Sequence, residues 1–210
     1  MKLNKLNFGI CIALLAATGC VNVTVDEPSA CSNQNVSFPL ASAVSAFAPP
    51  SLCNSPSVAT STATFQIPPQ STTTTFDFSS ELNGISNAAD NLSVLITQLV
   101  MSNPNKEFFF ASSIEVDIAG QNSNSGSYPQ VELAMFTVGD AGAPASFAFT
   151  PTLPTATVLS YLESGPVTLT ITLNSSPITL AQACTISNDT TASTMVNVCV
   201  NASGSFSKKL

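Results

Sequence analysis

The chain contains no histidine, no arginine and no tryptophan, and only 8% of its 210 residues are charged. Each absence removes chemistry. Without histidine there is no Ser-His-Asp hydrolase, no Cys-His protease and no histidine-ligated zinc, copper or haem. Without arginine there is no bidentate clamp for phosphate or carboxylate. No glycine-rich phosphate loop and no nucleophile elbow occurs. The six cysteines include no CxxC spacing, which argues against a cysteine-ligated zinc site. We expect no cofactor and no metal.

Long apolar runs are also scarce. The run Phe8 to Ala17 holds about ten residues, well short of the roughly 18 that a membrane-spanning helix requires. Lys2 and Lys5 precede it, and the small residues Ala16, Ala17, Thr18 and Gly19 follow. A basic start, a short apolar stretch and a small-residue end are the layout of an exported precursor.

The segment Ala17-Thr18-Gly19-Cys20 resembles the lipobox of bacterial lipoproteins, with Ala17 where the family prefers Leu. The resemblance covers the first 20 residues. It implies diacylglyceryl transfer to the Cys20 thiol, cleavage before Cys20 and acylation of the new amino group. Each acyl chain contributes about 0.8 kcal/mol per buried methylene, so two or three chains make membrane attachment nearly permanent. Val21, in the next position, implies outer-membrane retention by the same resemblance. The localisation expected is therefore the bacterial cell envelope, with the membrane engaged through the lipid.

Cysteine parity is an independent check. Cys11 leaves with residues 1–19, and acylation of Cys20 leaves Cys31, Cys53, Cys184 and Cys199, an even set suited to disulfides. Cleavage without acylation would leave five. Four cysteines allow three connectivities. The preferred one is Cys31–Cys53 with Cys184–Cys199, because each closes a local loop. Triplets such as Asn22-Val-Thr and Asn91-Leu-Ser match a glycosylation acceptor pattern, but a chain this rich in Asn, Ser and Thr produces them by chance.

From Cys20 onward about 191 residues remain, enough for one domain with a hydrophobic core. They carry twelve acidic residues against Lys106, Lys208 and Lys209, a net charge near −9. Such a field repels phosphate backbones, so no nucleic-acid partner is expected.

We expect a signal peptide over 1–19, a lipidated tether and loop segment over 20–56, and a β-sandwich over 57–210. Asn35 to Leu40 reads as an edge strand, with Pro39 confining it there. Thr62 to Ile67 and Thr73 to Ser79 read as strands around Pro68-Pro69. Leu82, Ile85, Ala89 and Leu92 recur at helical spacing and predict one short helix, after which Leu92 to Met101 favours a buried strand. Phe108 to Ile118 alternates apolar and polar residues, and Val131 to Val138 is its natural partner, with Val131, Leu133 and Met135 inward. Ala145 to Thr150 is a short strand, and Ala156 to Glu163 reads as a strand or a helical turn. Val167 to Leu173 alternates four apolar residues with three threonines. Ile178 to Ser187 and Thr194 to Phe206 read as a final hairpin that brings Cys184 opposite Cys199. The fold expected is an all-β antiparallel sandwich of about eight to ten strands with one short helix.

Three features carry candidate chemistry. Glu115 and Asp117 project from one strand face about 6–7 Å apart, a separation glycosidases also use. An ordinary solvated strand face explains them better, since aromatic sugar platforms are limited to Tyr128 and Tyr161. Asp140 and Asp189 offer oxygen ligands to calcium without a clustered loop. Phe108-Phe109-Phe110 places two rings inward and leaves Phe109 to pack elsewhere. The function expected is a non-enzymatic binding or scaffolding module that contacts an envelope protein or glycan. The alternative is a small carboxylate-dependent glycan hydrolase using Glu115 or Asp117.

Overall fold

The computed structural model describes residues 21–26, 29–80, 82, 91–104, 107–121, 128–139, 143–188 and 192–208. Eleven strands are found there, all paired antiparallel, in two large sheets and one small one. The first sheet centres on β11 (Ala192–Lys208). One side of β11 is lined by β1 (Val21–Asp26) and β2 (Ala30–Phe38), the other by β5 (Asn91–Ser102), which carries the three-residue β8 (Ser146–Ala148). The second sheet runs β4 (Gln70–Phe76), β9 (Val167–Ser175), β6 (Ala111–Ala119), β7 (Val131–Thr137). A two-stranded ribbon pairs β3 (Thr64–Phe65) with β10 (Ile178–Thr179). This is the expected all-β sandwich.

Period-two patterning builds the core. Along β9 the apolar Val167, Leu169, Ile171 and Leu173 are buried and the threonines between them are half-exposed. From the opposing sheet, Val94, Ile96, Leu99, Val196, Val198 and Val200 face inward. A chain of rings adds to this: Phe38 and Phe147 flank Phe108 at centroid distances of 5.5 and 6.4 Å, and Phe136 meets Phe147 edge-on at 5.3 Å. Offset and edge-to-face contacts of this kind contribute beyond the area they bury.

Several expectations are corrected. Val21–Asp26 and Ala30–Phe38, which fall in the segment read as a tether and loop with one edge strand over Asn35–Leu40, form two strands of the first sheet, so the body does not begin at 57. Strand β6 starts at Ala111; Phe108–Phe110 form the turn before it, with Phe108 and Phe110 buried and Phe109 packed edge-on against Phe110. Met135 points outward, 49% exposed, because a bulge at Leu133 shifts the β6–β7 register and reverses the alternation, turning Phe136 to the core instead. Residues 180–188 are helical, not a strand. The predicted helix over 80–92 lies largely outside the described residues.

The α-helices that position the disulfides and the sheet ends include α1 (Leu40–Val44), α2 (Pro50–Cys53), α3 (Thr155–Glu163) and α4 (Leu180–Asn188), and a 3-10 helix spans Pro56–Thr60. Thr179 and Gln182 start α4 with a reciprocal cap: Gln182 Oε1 accepts from the Thr179 N–H at 2.8 Å, and Thr179 Oγ1 accepts from the Gln182 N–H at 3.3 Å. Leu180, Ala183, Cys184 and Ile186 then fill the buried side, and α4 packs on α1 and α2.

That packing decides the disulfides. Cys184 lies on α4 and bonds to Cys53 of α2. Cys199 lies on β11 directly opposite Cys31 of β2, and those two bond. The pairing Cys31–Cys53 with Cys184–Cys199 is overturned, because Cys184 is in a helix and the strand facing Cys199 comes from the other end of the chain. Disulfides at all four positions point to an oxidising, non-cytoplasmic compartment.

Candidate functional site

Outward positions of the four-stranded sheet are set by the same alternation that fills its core. On β4 these are Ser71, Thr73 and Thr75, all exposed; on β9 they are Thr168, Thr170 and Thr172. The antiparallel register aligns them as Ser71 with Thr172, Thr73 with Thr170 and Thr75 with Thr168. Ser71 Oγ and Thr172 Oγ1 share a hydrogen bond of 2.9 Å. Strand geometry spaces such rows about 4.8 Å across strands and about 6.7 Å along them. Six hydroxyls thus form a two-by-three array.

The array continues into carboxylates. Thr172 pairs with Glu115, and Thr170 with Asp117, on β6; beyond them Glu115 pairs with Met135 and Asp117 with Glu132 on β7. Glu115 is pushed above the ordinary carboxylate range, first by burial against its neighbours and then by the charges of Asp117 and Glu132. Asp117 accepts a 2.7 Å hydrogen bond from Gln130 Nε2. The expected pair does share an outward face, on an open sheet surface.

A cavity of about 10 Å³ lies between the sheets, lined by apolar side chains of both, among them Phe76, Ile96, Leu169 and Val198. That is the volume of a single water and the lining is apolar, so it is a packing gap. Tyr128 and Tyr161 pack edge-on against each other at 5.5 Å, and the Tyr161 hydroxyl donates to the Pro129 carbonyl at 2.6 Å. Burial raises the Tyr161 pKa. These rings hold the base of α3 rather than forming a platform.

Among the described residues, no group of three or more His, Cys, Asp or Glu side chains is placed to hold a metal ion, and no helix is long and apolar enough to cross a membrane. Asp140, Asp189 and Cys20 lie outside the described residues. The residue after Cys20 begins β1, and its backbone register partner is Lys208.

Sequence reasoning found the acid pair and missed the hydroxyl array. Its signal was present in Thr72 to Thr75 and in the three threonines of β9. What was lacking was the pairing of β4 with β9, which lie about a hundred residues apart. No family model, curated protein or solved structure matches the chain.

Proposed function

We propose that this chain is a lipid-anchored module of the bacterial cell envelope that binds or scaffolds a neutral polar partner, an envelope glycan or protein, without catalysing a reaction. The anchor is Cys20, by the resemblance of residues 17–20 to a lipobox, and Val21 directs it to the outer membrane. Two disulfides support export to an oxidising compartment. The observation that carries the binding reading is the aligned hydroxyl array of β4 and β9. Hydroxyls fixed on a sheet donate and accept hydrogen bonds, and they are desolvated at far lower cost than charges.

The test compares the parent chain with the Thr73→Lys/Thr170→Lys variant, which sets two ammonium groups in the middle of the array. Isolated envelope polysaccharide and envelope protein are each offered to the immobilised domains. The parent retains one of them and the variant does not, at equal thermal midpoints; equal retention by both would remove the array from the account. Release of cleaved glycan, abolished in Glu115→Gln, would replace binding with the carboxylate-dependent hydrolase.

A further inference from the structure

The outward side of the first sheet is built from uncharged strands. Strands β2, β5 and β8 contain no charged residue, and β11 has none before Lys208. Cross-strand register sets the outward side chains in rows. One row runs Asn33 of β2, Asn197 of β11, Val100 of β5 and Ala148 of β8. The next row runs Cys31, Cys199 and Gln98. At the usual spacing between strands the first row is about 14 Å wide.

The amides of these rows are only partly spent on each other. Asn197 Nδ2 donates to Asn33 Oδ1, which turns Asn197 Oδ1 towards the sulfur of Cys199, 3.3 Å away. Gln98 Oε1 lies 3.3 Å from the same sulfur. That sulfur belongs to a disulfide and has no proton to give, so both oxygens keep their capacity to accept. Asn33 Nδ2 and Gln98 Nε2 have no acceptor among the described residues. Asn33 and Gln98 are exposed, and Asn197 is half-buried. A free donor on Asn33 and a free acceptor on Asn197 therefore stand side by side on adjacent strands. Their complement is a secondary amide, which carries one C=O and one N–H. Beyond them the half-buried Val100 and the exposed Ala148 continue the row as a small apolar shelf.

We propose that this face binds the acetamido groups of an N-acetylated glycan. Asn33 donates to the acetyl carbonyl, Asn197 accepts from the amide N–H, and the methyl group lies over Val100. Gln98 offers a second donor and acceptor to the hydroxyls of the same sugar. A neutral sugar has no charge to desolvate on such a face. A peptide backbone carries the same amide, but its side chains alternate to either side and hold it off a sheet face; extended peptides pair with sheet edges instead. An acetamido group projects from its ring and reaches the row. The site lies on the sheet opposite the hydroxyl array and depends neither on that array nor on lipid at Cys20.

NMR of the nitrogen-15-labelled full chain reads the side-chain amides directly. The probes are chitotetraose, cellotetraose, which has a hydroxyl in place of each acetamido group on the same backbone, and an N-acetylated tetra-alanine amide. Chitotetraose is expected to shift the side-chain amide signals of Asn33 and Gln98 and the backbone signal of Val100, with Thr73 and Thr170 unmoved. Cellotetraose and the peptide are expected to shift none of these. Asn33→Leu, at an unchanged thermal midpoint, should weaken chitotetraose binding about fivefold; should that variant lose stability, Gln98→Leu reads the same contact. No shift with chitotetraose, equal shifts with cellotetraose or the peptide, or parental affinity in both variants overturns the acetamido site. Shifts confined to Thr73 and Thr170 overturn it too, while leaving the hydroxyl array as the glycan site.

Discussion

Cys31 and Cys199 stand directly opposite each other on β2 and β11, bonded across 168 residues of sequence. The bond ties an edge strand from the start of the domain to its last and longest strand. The chain-entropy model assigns about 5 kcal/mol to closing a loop of that size. Replacing both cysteines with alanine is expected to cost about 2–5 kcal/mol in denaturant unfolding. A non-reducing digest of the parent should join the peptides holding Cys31 and Cys199, and separately those holding Cys53 and Cys184. A peptide joining Cys31 to Cys53 would contradict the fold.

Gly120 and Gly139 make a matched pair. A Cβ at Gly120 would lie 2.6 Å from Tyr128 Cβ and 2.7 Å from Ser164 Oγ, so Gly120→Ala should destabilise by about 1–3 kcal/mol. At Gly139 nothing lies within 4 Å, and Gly139→Ala should be neutral or gain about 0.4–1 kcal/mol by restricting the unfolded chain. Thermal midpoints of the two variants test the packing of Tyr128 over the end of β6.

The reciprocal cap on α4 is open to a direct check. Thr179→Ala removes the oxygen that accepts from the Gln182 N–H and should cost about 0.5–2 kcal/mol. Faster amide exchange in the first turn of α4, with β9 unchanged, would localise the loss.

Glu115 sets a pH dependence. Its folded pKa is raised, so the folded state holds its proton to higher pH than the unfolded chain does. Stability from this group is therefore greatest below the ordinary carboxylate pKa and declines as pH rises through the raised one. Glu115→Gln should stabilise the protein at neutral pH, and the advantage should vanish in acid. In an NMR titration, Glu132→Gln should bring the Glu115 pKa down, since one of the charges holding it up is gone. A Glu115 pKa that does not respond would separate the two side chains.

Alternation makes much of this fold legible in the residue order alone. The four apolar residues and three threonines of β9 left no other reading, and the β-branched run of β5 favoured a strand as found. Elsewhere local signals competed. Thr179-x-x-Gln182 announces a helix start, yet the β-branched Ile178, Thr185 and Ile186 around it pull towards strand, and only packing on α1 and α2 decides. The bulge at Leu133 leaves no mark in a residue pattern, and it alone turns Met135 outward. Both disulfides and the hydroxyl array depend on pairings across about a hundred residues or more, which periodicity within a strand does not encode. The acid pair was legible because its two members share one strand.

Attachment of Cys20 to lipid is the central proposal, and its direct measurement is the mass of the first peptide of the protein extracted from host membranes. A chain beginning at Cys20, with a diacylglyceryl group on its sulfur, is the result expected. An unmodified Cys20, or a chain still beginning at Met1, would contradict it.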